Sequence, residues 1–274
     1  MGSGKGDKRS KTSLKNPKKH IPLGPNRAKT KSKKKIKNNN NKNTKSKSKN
    51  NENNNTVEPA TASQQLSFFL DQYQSANGIQ LSSLELEPIK DACIVKLPEG
   101  LAQNFSTLGE HMKDAFGLSW KEVLCEKQLL EGKNDPGNPA LLIISLSALR
   151  SLELLRGLRP LTGECHAAKL FSKHMKIEDQ VSFLKNRVNI ASGTPNRIKK
   201  LIDMEALGLS RLAVIVLDMH TDVKGYSLFT LPQVRDEFWD LYKSYFHERL
   251  VQGDLRICLY GPLPVGLEVK KKKS

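Results

Sequence analysis

The feature that most constrains the fold is a pair of short apolar runs, each followed by a polar turn. The runs cover residues 188–192 and 212–217, and the segment between them is long enough for one helix. Short β-branched runs that alternate with helical periodicity predict parallel strands joined by crossover helices. In such sheets, ligands gather beyond the carboxyl ends of the strands. The loops at residues 192–197 and 218–222 are therefore the first places to look for function.

The same alternation extends through most of the chain. Apolar runs predict strands at residues 92–95, 140–144, 167–171, 188–192, 212–217 and 255–259. Apolar residues at helical spacing predict helices at residues 64–78, 101–116, 122–130, 145–159, 177–187, 196–204 and 231–251. In the fourth helix we expect one buried face formed by Leu149, Leu152, Leu155 and Leu158. The predicted fold class is α/β, a doubly wound and mostly parallel sheet with right-handed crossovers.

Positive charge is concentrated at the two ends of the 274-residue chain. Residues 1–58 hold 18 Lys and Arg against three acids, and four Lys occupy residues 270–273. The formal net charge of the whole chain is +17, so the part between these ends is close to neutral. We expect three parts: a basic arm at residues 1–63, one folded domain at 64–269 and a basic tail at 270–274.

The arm is rich in Lys, Asn and Ser and has almost no large apolar residues, so we expect it to be disordered. So many like charges favour an anionic partner, which predicts RNA contact through Lys33, Lys34, Lys35 and neighbouring lysines. Residues 31–37 also fit a nuclear import signal. The alternative is a tail that only keeps the protein soluble.

Several classes of protein are disfavoured by what the sequence lacks. No apolar segment is long enough to span a membrane and none resembles a secretion signal, so we expect a soluble intracellular protein without a membrane partner. The four cysteines, Cys93, Cys125, Cys165 and Cys258, have no zinc-ligand spacing. We therefore expect no metal, cofactor or small-molecule substrate, and cysteines that act as small apolar residues.

Residues 192–197, Ser-Gly-Thr-Pro-Asn-Arg, join a predicted strand to a predicted helix. Gly193 would allow a tight turn, Thr194 would cap the helix and Pro195 suits its first position. A helix N-terminus attracts phosphate through its free N–H groups, and Arg197 could add a bidentate contact. The motif predicts either a phosphate-binding site or an ordinary strand-to-helix cap, and the residues alone leave both open.

Three segments resemble, in the same order, the first RecA-like domain of DEAD-box RNA helicases. They are residues 141–150, residues 192–197 and the strand that ends at Asp218. Residues 194–197, Thr-Pro-Asn-Arg, are similar to a helicase Thr-Pro-Gly-Arg motif that grips the RNA backbone, with Asn in place of Gly. Residues 260–262, Tyr-Gly-Pro, do not match the Ser-Ala-Thr motif. The resemblance implies RNA binding by Arg150, Gly193, Thr194, Asn196, Arg197 and Lys199.

The residues that handle ATP in those helicases are missing here. A phosphate loop needs a Lys and a hydroxyl in a Gly-rich turn, and residues 97–101 at the corresponding place, Leu-Pro-Glu-Gly-Leu, have neither. In the Asp-Glu-Ala-Asp motif Asp holds magnesium and Glu orients water, whereas here Asp218 is followed by Met219. The chain also has no room for a second RecA-like domain. We therefore expect no catalytic residue, with Asp218 a degenerate position that caps local N–H groups.

The chain is also similar to the Cms-one family of helicase-like ribosomal small-subunit proteins. Residues 169–174, residues 193–197, the strand ending at Asp218 and the Lys-rich arm carry this resemblance. It implies a non-catalytic nucleolar component of the early small-subunit pre-ribosome. Such a component would act in rRNA processing by binding pre-ribosomal RNA, neighbouring assembly proteins or both. Two alternatives stay open: a divergent RNA-dependent ATPase, and a docking scaffold whose tail makes all RNA contacts.

Overall fold

The computed structural model of the protein describes Gly2, residues 60–127 and residues 135–264. Apart from Gly2, the predicted arm up to residue 59, including Lys33, Lys34 and Lys35, lies outside the described residues. The same holds for the basic tail at 270–274 and for the last residues of the helix predicted at 122–130.

Five strands form one sheet in which every pairing is parallel. They are β1 (Leu141–Ile144), β2 (Ala168–Leu170), β3 (Ile190–Gly193), β4 (Val214–Asp218) and β5 (Arg256–Tyr260). Their order across the sheet is β2-β3-β1-β4-β5. The predicted α/β class and parallel sheet are therefore confirmed.

The strand predicted at residues 92–95 is mostly wrong. Asp91–Cys93 forms a 3-10 turn, in which the N–H of Ile94 donates to the carbonyl of Asp91. Since the turn uses these backbone groups, strand pairing is limited to one parallel bridge between Ile94 and Ile257 of β5.

Eight α-helices surround the sheet in the described part of the chain. They are α1 (Ala62–Asn77), α2 (Ser83–Leu86), α3 (Leu108–Phe116), α4 (Ala148–Gly157), α5 (Ile177–Leu184), α6 (Pro195–Asp203), α7 (Pro232–Leu241) and α8 (His247–Val251). A π-helical turn, Tyr242–Phe246, joins α7 to α8, so the long helix predicted at 231–251 is present with a bulge. None of the described helices is long and apolar enough to cross a membrane.

Two predicted helices are shorter than expected. The helix predicted from residue 101 starts at Leu108, because the hydroxyl of Thr107 bonds back to the carbonyls of Ala102 and Asn104 and closes a turn there. The helix predicted at 122–130 is a π-helical turn, Lys121–Cys125, as far as the chain is described.

Helices cover both faces of the sheet, as a doubly wound fold requires. One apolar cluster joins α3 and α4 to the sheet, and a second joins α1, α6 and α7 to its other face. Because both faces are buried, the carboxyl ends and the side edges of the strands remain as the places where the sheet can meet a ligand or partner.

The predicted buried face of α4 is partly wrong. Leu155 and Leu158 are buried, but Leu149 is 66% exposed and Leu152 is half-buried. The helix turns Ser151 toward the sheet instead, where the Ser151 hydroxyl lies 2.8 Å from the hydroxyl of Ser145. A buried hydrogen-bonded pair of serines therefore takes a place that the apolar pattern assigned to leucine.

Candidate functional site at the carboxyl ends of the strands

The Ser-Gly-Thr-Pro-Asn-Arg motif begins α6, with Thr194 before the helix and Pro195 as its first residue. Two details of its prediction are wrong. The Thr194 hydroxyl makes no capping hydrogen bond with a described residue. Gly193 does not adopt a left-handed conformation; a Cβ there would lie 2.0 Å from the Leu170 carbonyl oxygen. The glycine is needed because β2 and β3 approach closely, not because the chain turns sharply.

A bidentate ion pair joins the start of α4 to the end of β4. The hydroxyl of Ser147 accepts a hydrogen bond of 3.3 Å from the N–H of Arg150 and caps α4. The Arg150 side chain then extends to Asp218, with its Nε 2.8 Å from Oδ2 and its Nη2 3.0 Å from Oδ1. Its third nitrogen, Nη1, lies 2.9 Å from a carboxylate oxygen of Glu153. All nitrogens of this guanidinium are engaged by carboxylates.

The Asp218 carboxylate has no exposed surface, and among the described residues its hydrogen-bond partners are all side chains. Besides Arg150, the ring nitrogen Nδ1 of His220 lies 3.1 Å from Oδ1. The prediction that Asp218 caps local N–H groups is therefore wrong. The reason is the strand order: β1 and β4 are neighbours, so the helix that follows β1 begins directly over the carboxyl end of β4.

Neighbouring carboxylates stabilise the ionised form of the Arg150 guanidinium. Burial disfavours this charged group, but the hydrogen bonds and charges of Asp218 and Glu153 together outweigh burial and raise the Arg150 pKa above its ordinary value. A buried carboxylate needs such a partner, since an unpaired one would cost several kcal/mol, about 3–5 by comparison with other buried pairs. We call Arg150, Asp218, Glu153 and His220 the carboxyl-end site.

The residues beside Asp218 are buried or bonded within the protein. Met219, which follows Asp218, is 4% exposed and belongs to the apolar core. At the end of β5 the buried Tyr260 donates a hydrogen bond of 2.7 Å to the carbonyl of Asn104, and burial raises the pKa of Tyr260 to about 12. The hydroxyl is thus tied to the segment that precedes α3.

Three other predicted RNA-binding residues contact α5 or α7; they are Arg197, Asn196 and Lys199. Arg197 donates from Nη1 to the amide oxygen of Gln180 in α5, over 2.7 Å. Asn196 is exposed and donates to a glutamate of α7 at 3.2 Å. Lys199 lies 3.2 Å from Asp203 of its own helix and 3.7 Å from an aspartate of α7. Arg150 and Asp218 are brought together, whereas Arg197, Asn196 and Lys199 each meet a different neighbour.

Three residues of this region were missed by the sequence analysis. Glu153 and His220 could have been predicted from their positions, because Glu153 lies three residues after Arg150 and His220 lies two after Asp218. Gln180 carried none. Its side-chain amide bonds to two backbone carbonyls of the β2 region that only the tertiary fold brings near.

Comparisons with known proteins match this chain along most of its length. A sequence model of CMS1, described as a U3-containing 90S pre-ribosomal complex subunit, matches residues 10–260. Human Protein CMSS1 is 30% identical over 208 residues, which cover 74% of this chain and 67% of the relative. Protein CMSS1 of Xenopus laevis is 32% identical over 192 residues, or 68% and 62% of the two chains. Protein CMS1 of Chaetomium thermophilum is 41% identical over 102 residues, or 36% and 41%.

Solved structures with a similar fold include a DEAD box protein from Methanococcus jannaschii. It is 17% identical, with a TM-score of 0.33, and the match covers 69% of this chain and 50% of the other. S. cerevisiae dbp5, in a complex that contains ADP, is 13% identical with the same TM-score and coverages of 71% and 46%. The family match rests on sequence and spans residues 10–260. The chain therefore belongs to the CMS1 family of subunits of the U3-containing 90S pre-ribosomal complex.

Proposed function

We propose that this chain is a non-catalytic component of the early small-subunit pre-ribosome that acts in ribosome biogenesis and rRNA processing. It works in the nucleolus and binds pre-ribosomal RNA, neighbouring assembly proteins or both. The observation that carries this proposal is the bidentate pair between Arg150 and Asp218. This pair supports a binding role for the folded domain over the role of an RNA-dependent ATPase.

A magnesium ion bound for phosphate transfer shares carboxylate and phosphate oxygens as ligands. Here both oxygens of Asp218 already accept hydrogen bonds from a cation that belongs to the protein. Met219 has no group that could orient water, and residues 97–101 have no Lys or hydroxyl for a triphosphate. Together these features favour a binding role over ATP hydrolysis.

The proposed RNA contacts come from two parts of the chain. The arm, with Lys33, Lys34 and Lys35, supplies sequence-independent affinity because its many lysines attract phosphate. The start of α6 adds a local contribution, since Arg197 bonds Gln180 through Nη1 and its other nitrogens have no hydrogen bond to a described residue.

Two measurements together test the proposed role: association of the chain with 90S particles, and release of phosphate from ATP. An epitope-tagged full chain should co-sediment with 90S particles and co-purify U3 RNA from cells. The purified chain should release no more phosphate from ATP than a mock preparation, with RNA and magnesium present. RNA-stimulated turnover that is lost in Asp218→Ala would promote the ATPase alternative. Sedimentation away from U3-containing particles would remove the pre-ribosomal role.

The role of the arm is tested by deleting residues 1–58. Nucleolar accumulation should be lost, and the dependence of RNA affinity on salt should flatten because phosphate contacts disappear. Unchanged localisation together with an unchanged salt slope would leave the arm as a solubilising tail.

A further inference from the structure

A groove of about 720 Å³ lies along the outer edge of the sheet, beside β2. Helix α4 of one layer and helix α5 of the other form its two sides. Its floor is aliphatic and consists of Leu152, Leu155, Leu170, Met175 and Leu184. We call this surface the edge groove. It is separate from the carboxyl-end site, whose residues do not line it.

The rim of the edge groove is basic. Arg156, Arg159, His166 and Lys169 line it and are exposed. None of the four forms an ion pair with a described residue, and Asp179 is the one carboxylate among the lining residues. Such a rim favours a negatively charged partner.

Apolar side chains continue from the floor onto the open surface. Leu149, Leu152 and Arg156 follow one another at helical spacing along α4, and Leu149 is 66% exposed. Phe183, at the rim on the α5 side, is 36% exposed. An apolar stripe bordered by charges is typical of a protein interaction surface. The α4 helix is thus apolar toward the core and, separately, toward the groove.

The way the sheet edge is closed indicates which shape the partner has. Gln180 is 2% exposed, and its Nε2 donates to the carbonyls of Lys169 at 2.7 Å and Phe171 at 3.0 Å. Arg197 holds the other end of this amide. Since these edge carbonyls are already satisfied, an added strand would find few backbone partners beside β2. A helix that inserts side chains needs none of them.

The aliphatic floor of the edge groove favours a protein partner over RNA. Single-stranded RNA gains affinity when bases stack on aromatic side chains. In the edge groove the rings of Phe183 and His166 lie at the rim, while the floor offers branched and straight aliphatic chains. Phosphates could pair with the rim, but the aliphatic floor would stay unfilled. Leu and Ile side chains fill it.

We propose that the edge groove binds an acidic amphipathic helix of another protein, with Leu or Ile at helical spacing on the floor and Asp or Glu against Arg156, Arg159 and Lys169. The proposal rests on the proposed role of the chain as a binding component of the pre-ribosome and names the chemistry of one partner. Helix-in-groove recognition reads such anchors at positions i, i+3, i+4 and i+7.

The test uses the full chain and two labelled synthetic peptides of about five helical turns, or ~18 residues. Both contain the same Leu, Asp and Glu residues. In one peptide the Leu residues form a helical stripe, and in the other they are scattered. Fluorescence anisotropy at fixed physiological salt compares the two, because the basic arm attracts both equally. We expect the striped peptide to bind about tenfold more tightly.

Charge reversal tests whether the preference for the striped peptide depends on the edge groove. Arg156→Glu combined with Arg159→Glu should abolish it, whereas the matched control Lys224→Glu with Lys243→Glu, two exposed lysines outside the groove, should keep it. Leu152→Glu should abolish it too, which tests the floor. Thermal unfolding of each variant checks that the domain is folded.

Equal affinity for the two peptides would overturn the proposal, as would a preference that survives reversal of Arg156 and Arg159. An oligouridine RNA that displaces the striped peptide, and itself loses affinity on reversal, would assign the groove to RNA instead. These outcomes leave the proposed function standing, since particle association and phosphate release are measured without the peptides.

Discussion

Helix α4 carries two arginines to two different surfaces. Near its start Arg150 lies 2.8 Å from the buried carboxylate of Asp218. Near its end Arg156 lies on the rim of the edge groove, exposed and without an ion pair to a described residue. The first arginine forms an ion pair inside the folded domain, and the second, as we propose, meets a partner protein. Their chemistry is the same, so the neighbouring residues decide the role.

The carboxyl-end site and the edge groove differ in whether their charged groups already have partners among the described residues. At the carboxyl-end site a cation of the protein neutralises Asp218, whose carboxylate has no exposed surface, while the Arg150 side chain is 16% exposed. At the edge groove, the basic side chains form no ion pair with a described residue, and apolar side chains are exposed. A satisfied buried pair stabilises one structure, whereas an unsatisfied amphipathic surface favours association.

The largest effect should follow from removing the cation of the buried pair. Arg150→Ala leaves Asp218 buried without its main partner, so the free energy of unfolding should fall by about 3–5 kcal/mol. Urea unfolding monitored by circular dichroism measures this change. Arg156→Ala is the matched control in the same helix, and it should change stability by less than about 0.5 kcal/mol.

A double variant sharpens the result. Replacing Arg150 by Met and Asp218 by Leu removes both charges and keeps apolar volume, so most of the lost stability should return. Two outcomes would contradict a structural role for the pair. Arg150→Ala and Arg156→Ala could lower the free energy of unfolding equally, or the double variant could be as unstable as Arg150→Ala.

The two apolar faces of α4 should also respond differently. Leu154→Ala creates a cavity in the core and should lower the free energy of unfolding by about 2–5 kcal/mol. Leu149→Ala removes an exposed side chain and should cost less than about 0.5 kcal/mol. Thermal and urea unfolding compare them. A large cost at Leu149 would mean that this side chain already has a partner within the chain.

The smallest expected effect concerns RNA and the start of α6. If Arg197 contacts a phosphate, Arg197→Ala should weaken RNA binding by the full chain several-fold and lower the salt slope by about one. Gln180→Leu serves as the control, because it removes the hydrogen-bond partner of Arg197 and keeps the cation. Binding is measured at several salt concentrations.

Equal RNA affinities for the unmodified chain and Arg197→Ala would favour the docking scaffold. If Arg197→Ala and Gln180→Leu lose the same RNA affinity, Arg197 affects RNA binding by positioning Gln180 in the edge groove and not by contacting a phosphate. Both results bear on the edge groove, since Arg197 bonds to Gln180, which lines it.

The sequence predicted those parts of the fold that depend on local patterns. Short β-branched runs predicted β1, β3, β4 and β5 to within two residues at each end. The strand prediction at 92–95 was wrong because these residues form a 3-10 turn, whose hydrogen bonds use the backbone groups that a strand would pair. Leu149 misled for another reason: helical spacing identifies an apolar face, but it does not say whether the domain itself covers that face.

The site was predictable only in part for a similar reason. Asp218 at a strand end and Arg150 in a helix start were both visible in the sequence, 68 residues apart. Their pairing depends on the neighbouring positions of β1 and β4, which no local pattern contains. The same limit hid Gln180, whose partners come from a separate strand.

We propose that Arg150 occupies Asp218 so that no metal or nucleotide binds there, and a nucleotide titration tests this most directly. Full-length protein is titrated with ATP, with and without magnesium, in parallel with Asp218→Asn. The lysine-rich arm attracts triphosphate in every case, so the informative quantity is the magnesium-dependent part of binding. We predict no saturable magnesium-dependent binding and no difference between the two proteins. Stoichiometric binding that needs magnesium and is lost in Asp218→Asn would contradict the claim.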